Sequence, residues 1–188
     1  MPSDDAILAG LSRGEEWAAD ALYDRVHTQV ERTLRRLLRF QSSDLDDLVQ
    51  ASFERIIRFL GERTLLPGSN LPAWASAVAA NVALDFLRRR GSERRLFTQL
   101  GGSIDAVVAS EAGPERHTDA RISVVRLQAL LARLRPKHAE ALVLHDVLGH
   151  DLAEIAEITG SSVAATQSRL VRGRKELLKR TKKTESDR

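Results

Sequence analysis

Residues suited to reading duplex DNA cluster near the C-terminal end of the sequence. Ala164, Gln167 and Ser168 are small or hydrogen-bonding, and Arg169 and Arg172 follow them. Small side chains permit close approach to a major groove, glutamine and serine can address base edges, and arginines hold phosphates. The pattern leaves open an amphipathic helical hairpin whose basic residues form only a solvated face. The residue types favour the DNA-binding helix over that alternative.

The segment that carries these residues predicts two helices joined by a sharp turn. Asp151 and Glu154 have the spacing of a capping box at the start of the first helix. Gly160 can supply the left-handed backbone that a tight helix exit needs. Either Ser161 or Ser162 can cap the second helix. The inward face of that second helix is predicted to consist of Val163, Thr166 and Leu170.

Composition predicts a mostly helical protein. The 188 residues include only 4% aromatic residues and no cysteine. The lack of cysteine excludes disulfides, thiolate metal sites and cysteine nucleophiles. No apolar run approaches the length that spans a bilayer, so no membrane span is expected. The net charge is only +3, but positive charge is concentrated in a few stretches, which points to polyanionic partners. These stretches are Arg88–Arg90, Arg94–Arg95 and Arg169–Lys183.

Helical periodicity divides the chain into two parts. Residues 1–91 predict a first bundle whose fourth helix, Ala73–Arg90, ends in three arginines. Residues 92–119 are rich in glycine, serine, alanine and acidic residues and predict a flexible linker. Residues 120–188 predict a second bundle that ends in the helix-turn-helix, with a polar tail from Thr181 expected to fray. The expected fold class is therefore all-α, with two small helical bundles joined by a flexible linker.

Several motifs along the chain occur together in one known family. Order and spacing agree across essentially the whole chain for Asp47–Gln50 with Phe53, Ala73–Trp74, Asn81–Arg90, Leu134–Pro136, Leu152–Gly160 and Ser168–Leu170. With these motifs, the chain resembles the extracytoplasmic-function (ECF) sigma factors of bacterial RNA polymerase. The resemblance implies a subunit that directs promoter-specific transcription initiation. It implies no enzyme activity and no cofactor or metal.

The resemblance implies that the first bundle docks on the clamp region of the largest polymerase subunit. An acidic rim around apolar groups suits docking against a basic coiled coil. For Leu48 and Phe53, a purely core role is the alternative. The implied docking surface comprises Asp46, Asp47, Leu48, Gln50 and Phe53.

The resemblance also implies that the first bundle binds and opens the −10 promoter element. The loop Gly61–Leu71 would shape a pocket for a flipped base, and for Trp74 a core position is the alternative to base stacking. The family commonly carries an aromatic and basic residues where this chain has Ser76, Ala77 and Ala80, which puts the strength of melting in question. The implied −10 contacts are Trp74, Asn81, Asp85, Arg88, Arg89 and Arg90.

The second bundle is expected, on the same resemblance, to read the duplex −35 element. Gln167 replaces a frequent lysine or arginine, and a glutamine can pair with adenine whereas an arginine prefers guanine. The preferred −35 sequence is therefore expected to differ at that base. The implied −35 contacts are Ser161, Gln167, Ser168, Arg169, Val171, Arg172 and Arg174.

The resemblance implies RNA polymerase core, including its clamp and flap regions, as partner, together with duplex and single-stranded promoter DNA. It also implies an anti-sigma partner and a bacterial cytoplasmic location. Two other classes of function are alternatives. A free-standing helix-turn-helix regulator would bind duplex DNA without polymerase. A metal-dependent hydrolase would use His138, His145–Asp146 and His150–Asp151, but these positions drift around a helix and no second acidic cluster completes a site.

Overall fold

The computed structural model describes residues 1–38, 44–63, 65–99 and 119–186. Within these residues the chain is helical and contains no β-strand. This confirms the predicted all-α fold. The α-helices of the described residues are α1 Asp4–Ser12, α2 Glu16–Leu38, α3 Leu45–Glu62, α4 Leu71–Gln99, α5 Asp119–Ala132, α6 Pro136–Leu142, α7 Leu152–Ile158 and α8 Val163–Ser186.

The first bundle consists of α1 to α4, packed around one apolar core. Ser3 caps α1 by accepting a 3.2 Å hydrogen bond from the amide of Ala6. Gly14 adopts a φ of 72° in the turn before α2, a conformation that glycine reaches without strain. The amphipathic spacing of α2 and α3 turns their apolar faces toward α1 and α4. The largest fully buried side chains of this core are Ile7, Val26, Val30, Leu34, Ile56, Leu71 and Leu84.

Helix α4 is longer than the sequence predicted. The predicted end at Arg90 is wrong, because α4 continues to Gln99, into the first residues of the predicted linker. Gly91 does not end the helix, because a single glycine inside a helix costs only about 1 kcal/mol, and no proline follows it before residue 99. The rest of the predicted linker, residues 100–118, lies outside the described residues.

The second bundle consists of α5 to α8 and a π-helical segment, Val143–Val147, that continues directly from α6. The sequence gave no sign of this π-helical segment. Helix α8 crosses α6 at Gly173, where a β-carbon would lie 2.9 Å from the backbone oxygen of His138. Helix α8 also extends to Ser186, so the predicted fraying from Thr181 is wrong for the described residues.

The two bundles pack against each other in this structure. One continuous cluster of buried apolar residues includes members of both bundles. Gln128 of α5 donates a buried 2.8 Å hydrogen bond to the backbone oxygen of Leu37, near the end of α2. Helix α4 provides most of the first bundle's side of the interface, and it contacts α5, α6, α7 and the π-helical segment. The relative placement of the bundles was not predicted from the sequence.

Candidate docking groove and nucleic-acid interface

An apolar groove of about 630 Å³ lies on the surface formed by α1, α2 and α3. Three rings form a stack along it, with centroids 4.7 Å apart for Tyr23 and His27 and 5.0 Å apart for Tyr23 and Phe53. Ile57 is 62% exposed at the groove. The polar lining is mainly acidic or amide, from Glu31, Asp46 and Gln50, and the remaining lining residues are Leu11, Ala19, Leu22 and Val49.

The groove brings together three of the five residues predicted to dock on polymerase. Asp46, Gln50 and Phe53 line it, whereas Asp47 is exposed but does not belong to the lining. Leu48 is only 8% exposed and lies in the core, so the core alternative holds for this residue. Phe53 is half-buried, lines the groove and stacks on the ring of Tyr23.

Sequence analysis missed Tyr23, His27 and Ile57 as members of the groove. All three lie on amphipathic helices where periodicity allows either a core or a surface position. Their grouping depends on how α2 packs on α3, which sequence spacing does not show. In the structure, Ile57 is a large apolar residue exposed on an otherwise charged face, and such residues often mark a binding surface.

Three of the predicted −10 contacts on α4, Asp85, Arg88 and Arg90, form ion pairs. Asp85 accepts hydrogen bonds of 2.8 Å from Arg55 and of 2.8 Å from Arg88. Arg90 lies 3.6 Å from the carboxylate of Asp44, and Arg89 is exposed. The network fixes the direction of the carboxylate and of two cationic groups on one side of α4.

Two other predicted −10 positions face away from solvent. Trp74 is 6% exposed, with its ring centroid 5.1 Å from that of Phe59. The burial therefore does not support the predicted role of Trp74 as a base-stacking platform. The core alternative holds, because a buried aromatic ring contributes more to the stability of the fold than an exposed one. Asn81 is half-buried and donates a 2.7 Å hydrogen bond to Glu140 of α6.

The loop that leads into α4 is attached to the N-terminus of α1. Asp4 accepts a 2.9 Å hydrogen bond from the amide of Leu71 and also pairs with Arg25 at 2.7 Å. Asp5 accepts a 3.0 Å hydrogen bond from the amide of Gly68. Two carboxylates at one helix end thus position the loop predicted to shape the flipped-base pocket.

The helix-turn-helix is built as its local sequence predicted. Asp151 accepts hydrogen bonds of 2.8 Å from the amides of Ala153 and Glu154, and Glu154 returns a bond to the amide of Asp151, which completes the capping box. Gly160 has a φ of 59° at the turn. Ser162 caps α8 by accepting a 3.2 Å hydrogen bond from the amide of Ala165.

Most of the predicted outward face of α8 is available to DNA. Thr166 and Leu170 are buried as predicted, but Val163 is exposed and its predicted inward position is wrong. Ser161 is half-buried, and its hydroxyl lies 2.9 Å from each of the hydroxyls of Thr159 and Thr166. Gln167, Val171 and Arg172 are exposed, while Ser168 and Arg169 are half-buried.

Arg174, predicted to lie near the DNA backbone, is engaged with Asp146 of the π-helical segment. Its Nε lies 3.1 Å from the carboxylate, and a second nitrogen also bonds that group. The guanidinium of Arg174 lowers the pKa of Asp146, with a smaller contribution from the neighbouring His145. The ion pair ties α8 to the π-helical segment.

The histidines that a metal-dependent hydrolase would use as ligands each have a different neighbour. His138 lies 3.1 Å from Glu176, His145 lies 2.8 Å from Asp146, and His150 lies 3.2 Å from Ser76. Among residues 1–38, 44–63, 65–99 and 119–186, no group of three or more histidine and acidic side chains is placed to hold a metal ion. No described helix has the length and apolarity to cross a membrane.

In a comparison with known proteins, each bundle matches a family model of its own. Residues 22–93 match the family model for Sigma-70 region 2, and residues 125–177 match that for Sigma-70, region 4. The ECF RNA polymerase sigma factor SigE of Mycolicibacterium smegmatis is 30% identical over 181 residues, which cover 94% of this chain and 68% of SigE. The RNA polymerase sigma factor CarQ of Myxococcus xanthus is 32% identical over 165 residues, covering 87% and 89%. The chain belongs to the ECF sigma factors.

The fold of this sigma factor also has a solved counterpart. The structure of CnrH in complex with the cytosolic domain of CnrY superposes with a TM-score of 0.53 at 21% identity, covering 98% of this chain and 99% of CnrH. Most of the groove and all of the ion-paired α4 residues fall within the region 2 match. The helix-turn-helix and the outward face of α8 as far as Arg174 fall within the region 4 match.

Proposed function

We propose that this sigma factor binds RNA polymerase core through the groove between α1, α2 and α3, and that it then directs initiation with two DNA-binding surfaces. The observation that carries the proposal is the groove itself. It combines an exposed apolar and aromatic floor with acidic groups at its edge. Unpartnered apolar surface of this kind on a small bundle is a binding surface rather than a core.

The groove fits a helical, basic partner such as the clamp region of the polymerase. Burial of Ile57, Tyr23 and Phe53 against apolar side chains would supply most of the affinity. The carboxylates of Glu31 and Asp46 would then meet basic groups at the rim and raise the association rate. Asp47 extends the acidic surface beyond the groove.

The DNA surfaces divide the promoter between the two bundles. The outward face of α8, centred on Gln167 and Arg172, would enter the major groove of the −35 element. The face of α4 with Asn81 and Arg89 would hold the separated −10 strand. A protein without ATP can open DNA only by binding the single strand better than the duplex. The second bundle would also contact the flap region of the polymerase.

The same proposal covers partners and location. CnrH is solved with the cytosolic domain of CnrY, which supports a regulatory protein partner, an anti-sigma factor, for this chain. We infer action in the bacterial cytoplasm, where the polymerase is found. The protein acts as a polymerase subunit and performs no catalysis of its own.

The groove can be tested with two matched substitutions. Ile57 and Leu178 are large apolar residues that are 62% and 61% exposed, one at the groove and one near the end of α8. Because neither is buried, replacing either by aspartate should leave the fold intact, as circular dichroism can confirm. Ile57→Asp should weaken capture by immobilised core polymerase and reduce run-off transcription at least about tenfold, as expected for a buried interface anchor. Leu178→Asp should leave the capture of core unchanged.

If immobilised core polymerase captured both variants as well as the wild type, the groove would not be its binding site. Selection of DNA fragments also distinguishes the proposed sigma factor from a free-standing regulator. A sigma factor selects promoter fragments from a random-sequence library only when core polymerase is present. A free-standing regulator would select duplex DNA equally well alone.

A further inference from the structure

Two large apolar side chains lie on the exposed face of α8. Val163, the first residue of the helix, is 47% exposed, and Val171, about two turns later, is 42% exposed. Each lies four residues from Gln167, which is also exposed, so the three side chains share one stripe along the helix. A single exposed valine is common on protein surfaces. Two valines that flank an exposed amide at helical spacing form a patterned surface instead.

The turn before α8 directs Val163 outward. Ser162 caps the helix by accepting a hydrogen bond of 3.2 Å from the amide of Ala165. The hydroxyl of Ser161 instead turns inward and lies 2.9 Å from that of the buried Thr166. The chain therefore places a polar group inside the turn and an aliphatic group outside. Because exposure of an aliphatic side chain forfeits the free energy of its burial, the arrangement indicates that Val163 has a partner outside the chain.

The groups around the stripe fit an anionic partner. Arg172 and Lys175 are exposed on the same helix, whereas the sequence from Val163 to Lys175 contains no acidic residue. Ala164 is exposed near Gln167 and is small enough to let another molecule approach the helix closely. Duplex DNA combines phosphates, which arginine and lysine bind, with a major groove that presents methyl groups among polar base edges. A stripe of valine, glutamine and valine beside cationic side chains is complementary to that groove.

We propose that Val163 and Val171 are specificity-determining residues, each of which contacts the 5-methyl group of a thymine in the −35 element. This inference rests on the proposed function, because it takes α8 as the helix that enters the major groove. The edge of a T·A pair differs from that of a C·G pair partly in this methyl group, and an apolar side chain can therefore select thymine. Neither valine has a side-chain donor or acceptor, so the methyl group is the feature of the base edge that it can recognise.

Helix geometry limits how far apart the two thymines can lie. Val163 and Val171 are separated by about 12 Å along the axis of α8, and stacked bases are about 3.4 Å apart. The two thymines should therefore occur within about four base pairs of each other, on either strand. The base that Gln167 reads should lie between them.

Removal of the methyl group alone tests the contact. The chain with bacterial core polymerase first selects promoter fragments from a random-sequence library. Each thymine of the selected −35 element is then replaced in turn by deoxyuridine, which keeps the hydrogen-bonding edge and lacks only the 5-methyl group. For the wild type, run-off transcription at limiting protein should fall about fourfold at each of two positions, the factor that corresponds to the burial of one methyl-sized group.

Two truncations assign the valines to these positions. Val163→Ala should abolish the difference between thymine and deoxyuridine at one of the two positions and keep it at the other, and Val171→Ala should do the reverse. Leu178→Ala is the matched control, because Leu178 is an exposed aliphatic residue further along α8, and it should keep both differences. Circular dichroism of the three variants would check that the helices remain folded.

The comparison of thymine with deoxyuridine separates base reading from a structural role. A uniform decrease on thymine and deoxyuridine templates alike would overturn the inference, and an unchanged preference in either valine variant would overturn the role of that valine. Equal transcription by the wild type from every thymine template and its deoxyuridine counterpart would overturn both roles. Failure of the wild type to select any promoter fragment with core polymerase would instead reject the proposed function.

Discussion

On the outward face of α8, Gln167 offers one amide donor and one carbonyl acceptor, the combination that the major-groove edge of adenine requires. The side chain is exposed and so free to turn toward DNA. We expect Gln167→Arg to shift the preference at one −35 position toward guanine by roughly 1–3 kcal/mol. In vitro transcription from a panel of singly substituted −35 elements would measure this. A uniform gain on all promoters would show that position 167 contacts a phosphate instead.

The ion pair of Asp146 leads to a prediction about how the stability of the fold depends on pH. Its pKa is lowered in the folded protein, first by the hydrogen bond from Arg174, so the ionised carboxylate stabilises the fold at pH values above its unfolded pKa of about 4. The stabilisation is lost as pH falls through the lowered folded pKa. We expect Asp146→Asn to reduce the free energy of unfolding by about 0.5–1 kcal/mol at pH 7, as for partly exposed ion pairs.

The difference between Asp146→Asn and wild type should shrink toward zero as the pH falls below about 4. Urea denaturation at several pH values would measure it. Asp20→Asn is the matched control, because Asp20 is exposed on α2. A destabilisation by Asp146→Asn that did not change with pH would contradict the role given to the ionised group.

At the scale of single helices, the crossing of α8 over α6 depends on the missing side chain of Gly173. A β-carbon there would lie 2.9 Å from a backbone oxygen of His138, which cannot move without shifting α6. We expect Gly173→Ala to destabilise the protein by about 1–3 kcal/mol through overpacking, despite the higher helix propensity of alanine. Urea denaturation would measure the change.

Gly61→Ala is the matched control for that substitution. Gly61 also lies inside a helix, α3, but a β-carbon there meets no atom within 4 Å. Its replacement should leave stability unchanged or raise it by up to about 1 kcal/mol. Equal effects of the two substitutions would mean that helix propensity, rather than the contact with α6, decides stability at Gly173.

At the scale of helices and turns, some structural features could be predicted from the sequence and others could not. The capping box of Asp151, the turn at Gly160 and the buried Thr166 could be predicted, because each depends on residues within one or two helical turns. The continuation of α4 past Gly91 was missed because one glycine is a weak break. The core position of Trp74 and the groove around Ile57 depend on packing between helices distant in sequence, which helical periodicity does not record.

For the whole molecule, the contact between bundles links the two surfaces that we propose bind the promoter. The same α4 provides part of the first core, the predicted −10 contacts and the interface with the second bundle. Any change that loosens the interface should therefore expose the predicted −10 contacts on α4. The hydrogen bonds of Gln128 and Glu140 both cross between the bundles. Their loss would therefore loosen the interface most selectively.

We expect the double substitution Gln128→Ala with Glu140→Ala to increase the radius of gyration measured by small-angle X-ray scattering. A compact chain of this length has a radius of about 16 Å, and a chain whose two bundles have separated must exceed it. The matched control is Glu157→Ala with Gln167→Ala, the same two changes at exposed positions of the second bundle. This control should keep the wild-type radius. If both double variants scatter like the wild type, apolar packing alone holds the bundles together and the two hydrogen bonds are dispensable for closure.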